Sequence, residues 1–378
     1  MPQPFKVEFP PDAIADLRRR LNDTRWPPEV ADSGWDYGTN LAYLQELCAY
    51  WADGFDFQAQ ADYLNAMPQF TTEVDGFGMH YVLKEGNGPN PLPLVFSHGW
   101  PGTFYEVHKI LDLLTDPAAH GGDAADSFTV VAPSLPGYGY AQIPIEPGYG
   151  QARTAELFDG LMQQLGFDRY GAQGGDWGAI VTAQITSKFP ERVIGGQMNM
   201  PAVRPVGDSS PQNDEEKAYL ASAAQWQNAE AGYQRIQGTK PQTLAYGLTD
   251  SPAGLAGWIT EKWRSWSDCD GEIEKRFTKD EILTNISIYW FTGTINSSTR
   301  YYQEAFSNPA LNRFTEWIET PCGFSVFPEE IISAPRSWIE RGCNVQQWSE
   351  HDRGGHFAAM EEPELLAQDV RDFFRPLR

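Results

Sequence analysis

The chain has little cysteine, little histidine and little positive charge, and each shortage narrows the field. Four cysteines occur in 378 residues: Cys48, Cys269, Cys322 and Cys343. No two of them make a C-x-x-C pair, so neither a zinc ligand set nor a disulfide framework is expected. Against 51 acidic residues stand 28 basic ones, a formal charge of −23. Nucleic acid and anionic membrane surfaces select for Lys and Arg, so neither is an expected partner. No stretch approaches the ~20 apolar residues that span a bilayer. The opening MPQPFKVEFPPDAIADLRRRL has no apolar signal-peptide run. These features predict a soluble, cytoplasmic protein. No nucleotide, flavin or metal pattern is visible, and no cofactor is expected.

Aromatic side chains are plentiful, with 13 Trp, 16 Tyr and 21 Phe, enough for a sizeable core. Hydrophobic periodicity divides the chain into four zones. Residues 1–68 are helical and aromatic-rich, an N-terminal segment expected to pack over the other three zones and to contribute to a homodimer. Over 69–204 short strands alternate with helices, in the order FTTEVDG, MHYVLKEG, PLPLVFSHG, FYEVHKILDLL, FTVVAPSLPG, TAELFDGLMQQLGF, DRYGAQ, GAIVTAQITSKF and VIGGQMNM. Alternation of this kind predicts a mostly parallel sheet with helices on both faces. Residues 205–315 are almost wholly helical in pattern. Strand rhythm resumes over 316–378 with PCGFSVFP and NVQQWSEH, and the chain ends in the helix PELLAQDVRDFF. A sheet interrupted by one helical insert after about its sixth strand is an α/β-hydrolase fold with a lid. The strand DRYGAQ is poor in β-branched residues for a central position.

The stretch GAQGGDWGAI (171–180) has the outline of the G-x-S-x-G nucleophile elbow, with Asp176 where serine usually stands. By itself it supports two readings: an elbow with a carboxylate nucleophile, or a glycine-rich turn in which Asp176 caps a helix. SHGWPG (97–102) follows an apolar strand. In this fold the loop there and the residue after the nucleophile each donate a backbone N–H to an oxyanion hole. That nominates the amides of Trp100 and Trp177, since Pro101 has no N–H. His98 in the same loop is expected to bond to backbone and to take no part in chemistry. The order nucleophile, acid, histidine leaves only His351 and His356 far enough downstream. The GGHF setting before the last helix favours His356. The acid belongs after the first strand beyond the insert, where FSVFPEEII offers Glu329 and Glu330.

With these residues assembled, the chain resembles the microsomal-type epoxide hydrolases over nearly its whole length. The resemblance is carried by TRWP, HGWPG, GGDWG, GYQRIQGTKPQTLAYGLTDSPAGLAGWITEKW, RYYQE, FSVFPEE and GGHFAAMEEPELLAQD. It implies that Asp176 is the nucleophile, His356 the general base and Glu330 its acidic partner. It also implies that two lid tyrosines, Tyr233 and Tyr302, hold the epoxide oxygen; Tyr301 is the neighbouring alternative to Tyr302. The expected activity is conversion of an apolar or aromatic epoxide to a vicinal diol through an ester on Asp176. A haloalkane dehalogenase shares the Asp, His and oxyanion hole but needs indole or amide N–H groups aimed at a halide. An esterase would want serine at the elbow. A non-catalytic binder of hydrophobic ligands would have no need of every reactive position.

Overall fold

The computed structural model describes residues 2–307 and 314–378. Six positions of the expected helical insert, 308–313, lie outside the described residues. Among the described residues nine strands form one sheet: β1 (Gln3–Phe5), β2 (Gln69–Val74), β3 (Phe77–Lys84), β4 (Leu92–Ser97), β5 (Phe128–Pro133), β6 (Tyr170–Gly174), β7 (Val193–Met198), β8 (Ile318–Val326) and β9 (Cys343–Glu350). They lie in the order β1-β2-β3-β5-β4-β6-β7-β8-β9. The first three pair antiparallel, β3 meets β5 antiparallel, and all pairs from β5 through β4 to β9 are parallel. The α/β-hydrolase fold expected from the alternation is the fold observed. One strand departs from that expectation. Gln3–Phe5 is too short to show a period, and it becomes a strand only by adding to the edge of β2.

Chain order reverses around β4, which lies between β5 and β6. In an open α/β sheet the carboxyl ends of the strands at such a switch point face a crevice, and ligands bind there. Here the two carboxyl ends are Ser97 and Gly174, paired in register. Ser97 leads straight into HGWPG, and Gly174 opens the turn that carries Asp176.

The composition of β6 has a packing cause. Helix α5 (Trp177–Lys188) covers one face of the central sheet, and the last helix covers the other. A Cβ on Gly171 would stand 2.5 Å from a ring carbon of Phe374, and one on Gly196 would stand 2.3 Å from Thr186 Oγ1. Small residues in β6 and β7 therefore let both helices approach the sheet closely. The helices before α5 are α1 (Pro11–Asn22), α2 (Leu41–Ala49), α3 (Phe57–Asn65) and α4 (Gln151–Gln164). FYEVHKILDLL, expected as one helix, is instead a 3-10 turn at Phe104–His108 followed by a short helix at Leu111–Thr115.

The insert comprises α6 (Asp214–Ala229), α7 (Gly232–Gln237), α8 (Pro241–Asp250), α9 (Pro252–Ser265), α10 (Lys279–Thr292) and α11 (Ile295–Ser307); α12 (Pro363–Phe374) closes the chain. The N-terminal segment is fastened to this lid. Arg20 donates to Asp250, Thr39 to the Gly257 carbonyl, and the Trp51 indole to Ser287, at 2.7–3.0 Å. Among the described residues no helix is long and apolar enough to cross a membrane. All four cysteines are buried free thiols.

Candidate active site

The turn after β6 is as tight as the sequence suggests. A Cβ on Gly174 would come within 2.4 Å of the Gly178 backbone, and one on Gly178 within 2.0 Å of the Ser97 carbonyl. Asp176 sits at φ 50°, ψ −127°, a backbone strain that holds a side chain at the tip of the turn. Although Asp176 precedes α5, its carboxylate caps no helix amide. Oδ1 instead accepts the Trp100 N–H at 2.8 Å, and the helix-cap reading fails. The carboxylate lies flat on Gly99, where a Cβ would be 2.4 Å from Oδ1. The Trp177 N–H opens α5, where a helical amide has no acceptor within its own helix.

The loop carrying Trp100 is held from the lid. Asn285 on α10 donates to the Pro101 carbonyl and Tyr289 to the Gly102 carbonyl, both at 2.7 Å. His98 accepts the Leu135 N–H on Nε2 at 3.1 Å, so its Nδ1 carries the proton and faces the Gly99 carbonyl at 3.0 Å. Burial lowers its pKa to about 4. It is a neutral strut, as expected.

His356 Nε2 lies 3.4 Å from Asp176 Oδ2, and Nδ1 lies 2.7 Å from Glu330 Oε1. Burial opposes the imidazolium, but the Glu330 and Asp176 carboxylates outweigh it and raise the pKa well above the usual histidine range. Burial in turn pushes the Glu330 carboxyl up, against the pull of His356. Adjacent Glu329 is exposed, and its backbone bridges to Gly355.

Tyr233 on α7 and Tyr302 on α11 meet edge-on, with ring centroids 5.8 Å apart. The Tyr233 ring stacks on Trp100 at 5.4 Å and 7°, and the Tyr302 ring meets Trp177 edge-on at 4.7 Å. Burial raises both phenols well above 10, and the nearby Asp176 carboxylate adds to the rise. Tyr301 is turned elsewhere, its hydroxyl 2.9 Å from Thr154 Oγ1 on α4. Helical geometry separates adjacent residues by about 100°, which is why only one of the pair faces Tyr233.

All seven residues nominated from the sequence thus converge at the switch point. Asp176 and Trp177 keep some accessible surface, while Trp100, Tyr233, Tyr302, Trp266 and His356 around them are buried. The Asp176 carboxylate is thus enclosed by aromatic side chains of the elbow and the lid. Two neighbours had no signal in the sequence. Glu106 places Oε1 3.5 Å from the Gly99 N–H. The Trp266 ring lies 5.2 Å from Tyr233 and 5.1 Å from His356. Both arrive through tertiary packing, from a turn and a helix end that no local motif marks.

Comparison with known proteins finds similarity to epoxide hydrolases. A family model described as epoxide hydrolase N terminus matches residues 2–107, and one described as alpha/beta hydrolase fold matches residues 93–231. Epoxide hydrolase 1 of Sus scrofa is 38% identical over 399 residues, covering 98% of this chain and 88% of its own. Among solved structures, juvenile hormone epoxide hydrolase from Bombyx mori superposes with a TM-score of 0.91 at 30% identity, covering all of this chain and 95% of that one. The Aspergillus niger epoxide hydrolase gives 0.88 at 29% identity, covering 100% and 97%.

Proposed function

The chain belongs to the epoxide hydrolase family of the α/β-hydrolase fold, and from that premise we propose that it converts an apolar or aromatic epoxide to a vicinal diol through an ester on Asp176. The observation that carries this is the division of the Asp176 carboxylate. Oδ1 rests on the Trp100 amide while Oδ2 faces His356.

An epoxide carbon is tetrahedral, so ring opening needs backside displacement and no carbonyl addition. A carboxylate attacks at neutral pH without first losing a proton. Asp176 Oδ2 forms the new C–O bond, the ring C–O bond breaks, and its electrons go to the ring oxygen. Tyr233 and Tyr302, both protonated at neutral pH, donate to that oxygen and supply the proton that turns it into a hydroxyl. Oδ1 becomes the carbonyl oxygen of the ester, already in place on Trp100.

Ester formation removes the negative charge of Asp176. His356 then loses one of the two carboxylates that favour its imidazolium, gives its proton to the tyrosinate left by ring opening, and as the neutral base takes a proton from water. The water adds to Cγ, and the oxyanion on Oδ1 is held by the Trp100 and Trp177 amides. Glu330 orients the imidazole and stabilises its charged form. On collapse the ester C–O bond breaks, His356 returns its proton to the leaving oxygen to give the diol, and the Asp176 carboxyl passes its own proton to His356, which restores the carboxylate. The aromatic walls of Trp100, Trp177, Trp266 and the two tyrosines favour an apolar or aromatic substituent. The indole nitrogens of Trp100, Trp177 and Trp266 are buried without a partner; what favours an epoxide over a halide is the pair of lid tyrosines together with the epoxide hydrolase relatives.

A single turnover in heavy-oxygen water tests the scheme. The label should enter the Asp176 carboxylate and be absent from the first diol. Label in that first diol would mean direct attack by water and would refute the covalent route.

A further inference from the structure

The loop that carries His356 is tied to the lid through main-chain groups at three successive steps. The His356 N–H donates to the Trp266 carbonyl at 2.9 Å. The Gly354 N–H donates to Asp268 Oδ2 at 2.8 Å. Glu361 spans the junction, Oε2 accepting the Asp268 N–H at 2.8 Å and Oε1 accepting the Phe357 N–H at 2.9 Å. Its two oxygens thus join an amide of the lid to the amide that follows His356. Arg276 braces the far side of the turn, donating to Asp268 Oδ2 at 2.6 Å and to Glu362 at 2.7 Å. The fit leaves no slack, since a Cβ on Gly355 would stand 2.7 Å from the Trp266 carbonyl and 2.9 Å from the Asp268 nitrogen.

We propose that Glu361 and Asp268 are positioning residues that hold His356 over the ester by fastening its loop to the lid turn 266–268. Neither touches substrate or the reacting atoms. Carboxylates that accept backbone N–H groups make charge-assisted bonds, stronger and more directional than neutral ones. Glu330 fixes the imidazole at Nδ1 and the Trp266 ring meets its edge, and the backbone at 354–357 sets where the side chain starts. Attack by Asp176 does not need the base, whereas hydrolysis of the ester does. Loosening this fastening therefore slows the second half of the reaction selectively. A displacement on the order of 1 Å costs about ten- to a hundredfold in a step that depends on alignment.

The inference rests on His356 being the base, and the experiment separates the two. Rapid-quench single turnovers with styrene oxide, followed by mass measurement of the intact chain, give the rates of ester formation and hydrolysis for the parent, Glu361→Gln, Asp268→Asn and His356→Gln. In Glu361→Gln and Asp268→Asn, hydrolysis should fall at least about tenfold with formation within about twofold, so that ester accumulates. Unchanged hydrolysis in a folded variant overturns the inference, and so does an equal loss in both steps, which is what a merely structural role predicts. Should Glu361→Gln fail to fold, Asp268→Asn decides alone. Ester trapped in His356→Gln beside unchanged hydrolysis in the other two sinks the positioning role only. Parent-like turnover by His356→Gln would bring down the base assignment and the inference with it.

Discussion

Two histidine–carboxylate pairs stand five positions apart beyond β9, and only one of them lies in the site. His351 Nε2 is 2.7 Å from Asp369, and His356 Nδ1 is 2.7 Å from Glu330. Distance does not distinguish them. The difference is in the nitrogen each commits and in what its other nitrogen meets. His351 spends Nε2 on a carboxylate that also accepts the Ser325 hydroxyl, and its ring stacks on Phe327 at 4.7 Å. His356 spends Nδ1, which leaves Nε2 for Asp176. A histidine held by an acid is thus a common structural device. It becomes a base when the free nitrogen points at a reacting group among buried side chains.

The comparison breaks first at the two ends of that line. Asp176→Asn should form no ester, and His356→Gln should form it and stall, each with steady-state turnover down by about a thousandfold or more. His351→Gln should keep kcat within about threefold and lose about 1–2 kcal/mol of stability from its charge-assisted bond. Steady-state diol formation and urea unfolding measure both. Equal activity losses at 351 and 356 would erase the distinction.

The acids should separate in the same way by a smaller factor. Glu330→Gln leaves the imidazole without a counter-charge, and turnover should fall about a hundredfold, mostly in ester hydrolysis. Asp369→Asn should alter stability and leave the rates near the parent's. Activity lost equally in the two variants would contradict the assignment of Glu330.

Adjacent tyrosines repeat the lesson on the lid. The Tyr302 ring packs edge-on against Tyr233, and the Tyr301 hydroxyl meets Thr154. Tyr302→Phe and Tyr233→Phe should each slow ester formation about tenfold or more, because the opened oxygen loses a donor. Tyr301→Phe should change it less than about twofold. Rapid-quench formation rates give the ranking, and a larger loss at 301 than at 302 would reverse the register.

How much of this the sequence disclosed depends on how local each cause is. The elbow is visible because its glycines and Asp176 sit within five residues, and steric demand at such a turn leaves few alternatives. The alternation of strands and helices comes from periodicity, as does the helical insert. β1 is invisible because three residues carry no period and the strand exists only against β2. Glu106 and Trp266 are invisible because they reach the site from segments that no local motif marks. Glu330 over Glu329, and Tyr302 over Tyr301, needed the resemblance. One residue of register on a chain flips a side chain from the site to the surface or to another neighbour.

Glu106 completes the comparison, as an acid that has no histidine bonded to it. It sits on the turn Phe104–His108 with the Gly99 N–H at 3.5 Å as its hydrogen-bond partner. Burial pushes its carboxyl up to about 8, His356 and the Gly99 amide pull it down, and Asp176 adds to the rise. Linkage sets the sign. A carboxyl raised from its ordinary 4.5 binds its proton more tightly in the folded chain than in the unfolded one. Its contribution to stability is full below about 4.5 and is lost as pH rises through about 8. Glu106→Gln should therefore match the parent near pH 4.5 and exceed it by about 1–3 kcal/mol at pH 8.5, after allowing for relaxation of the buried charge. Urea midpoints at the two pH values measure this. Curves that stay parallel would mean that Glu106 is ionised in the folded protein across the whole range, and that its charge is balanced by the imidazolium of His356 as Glu330's is.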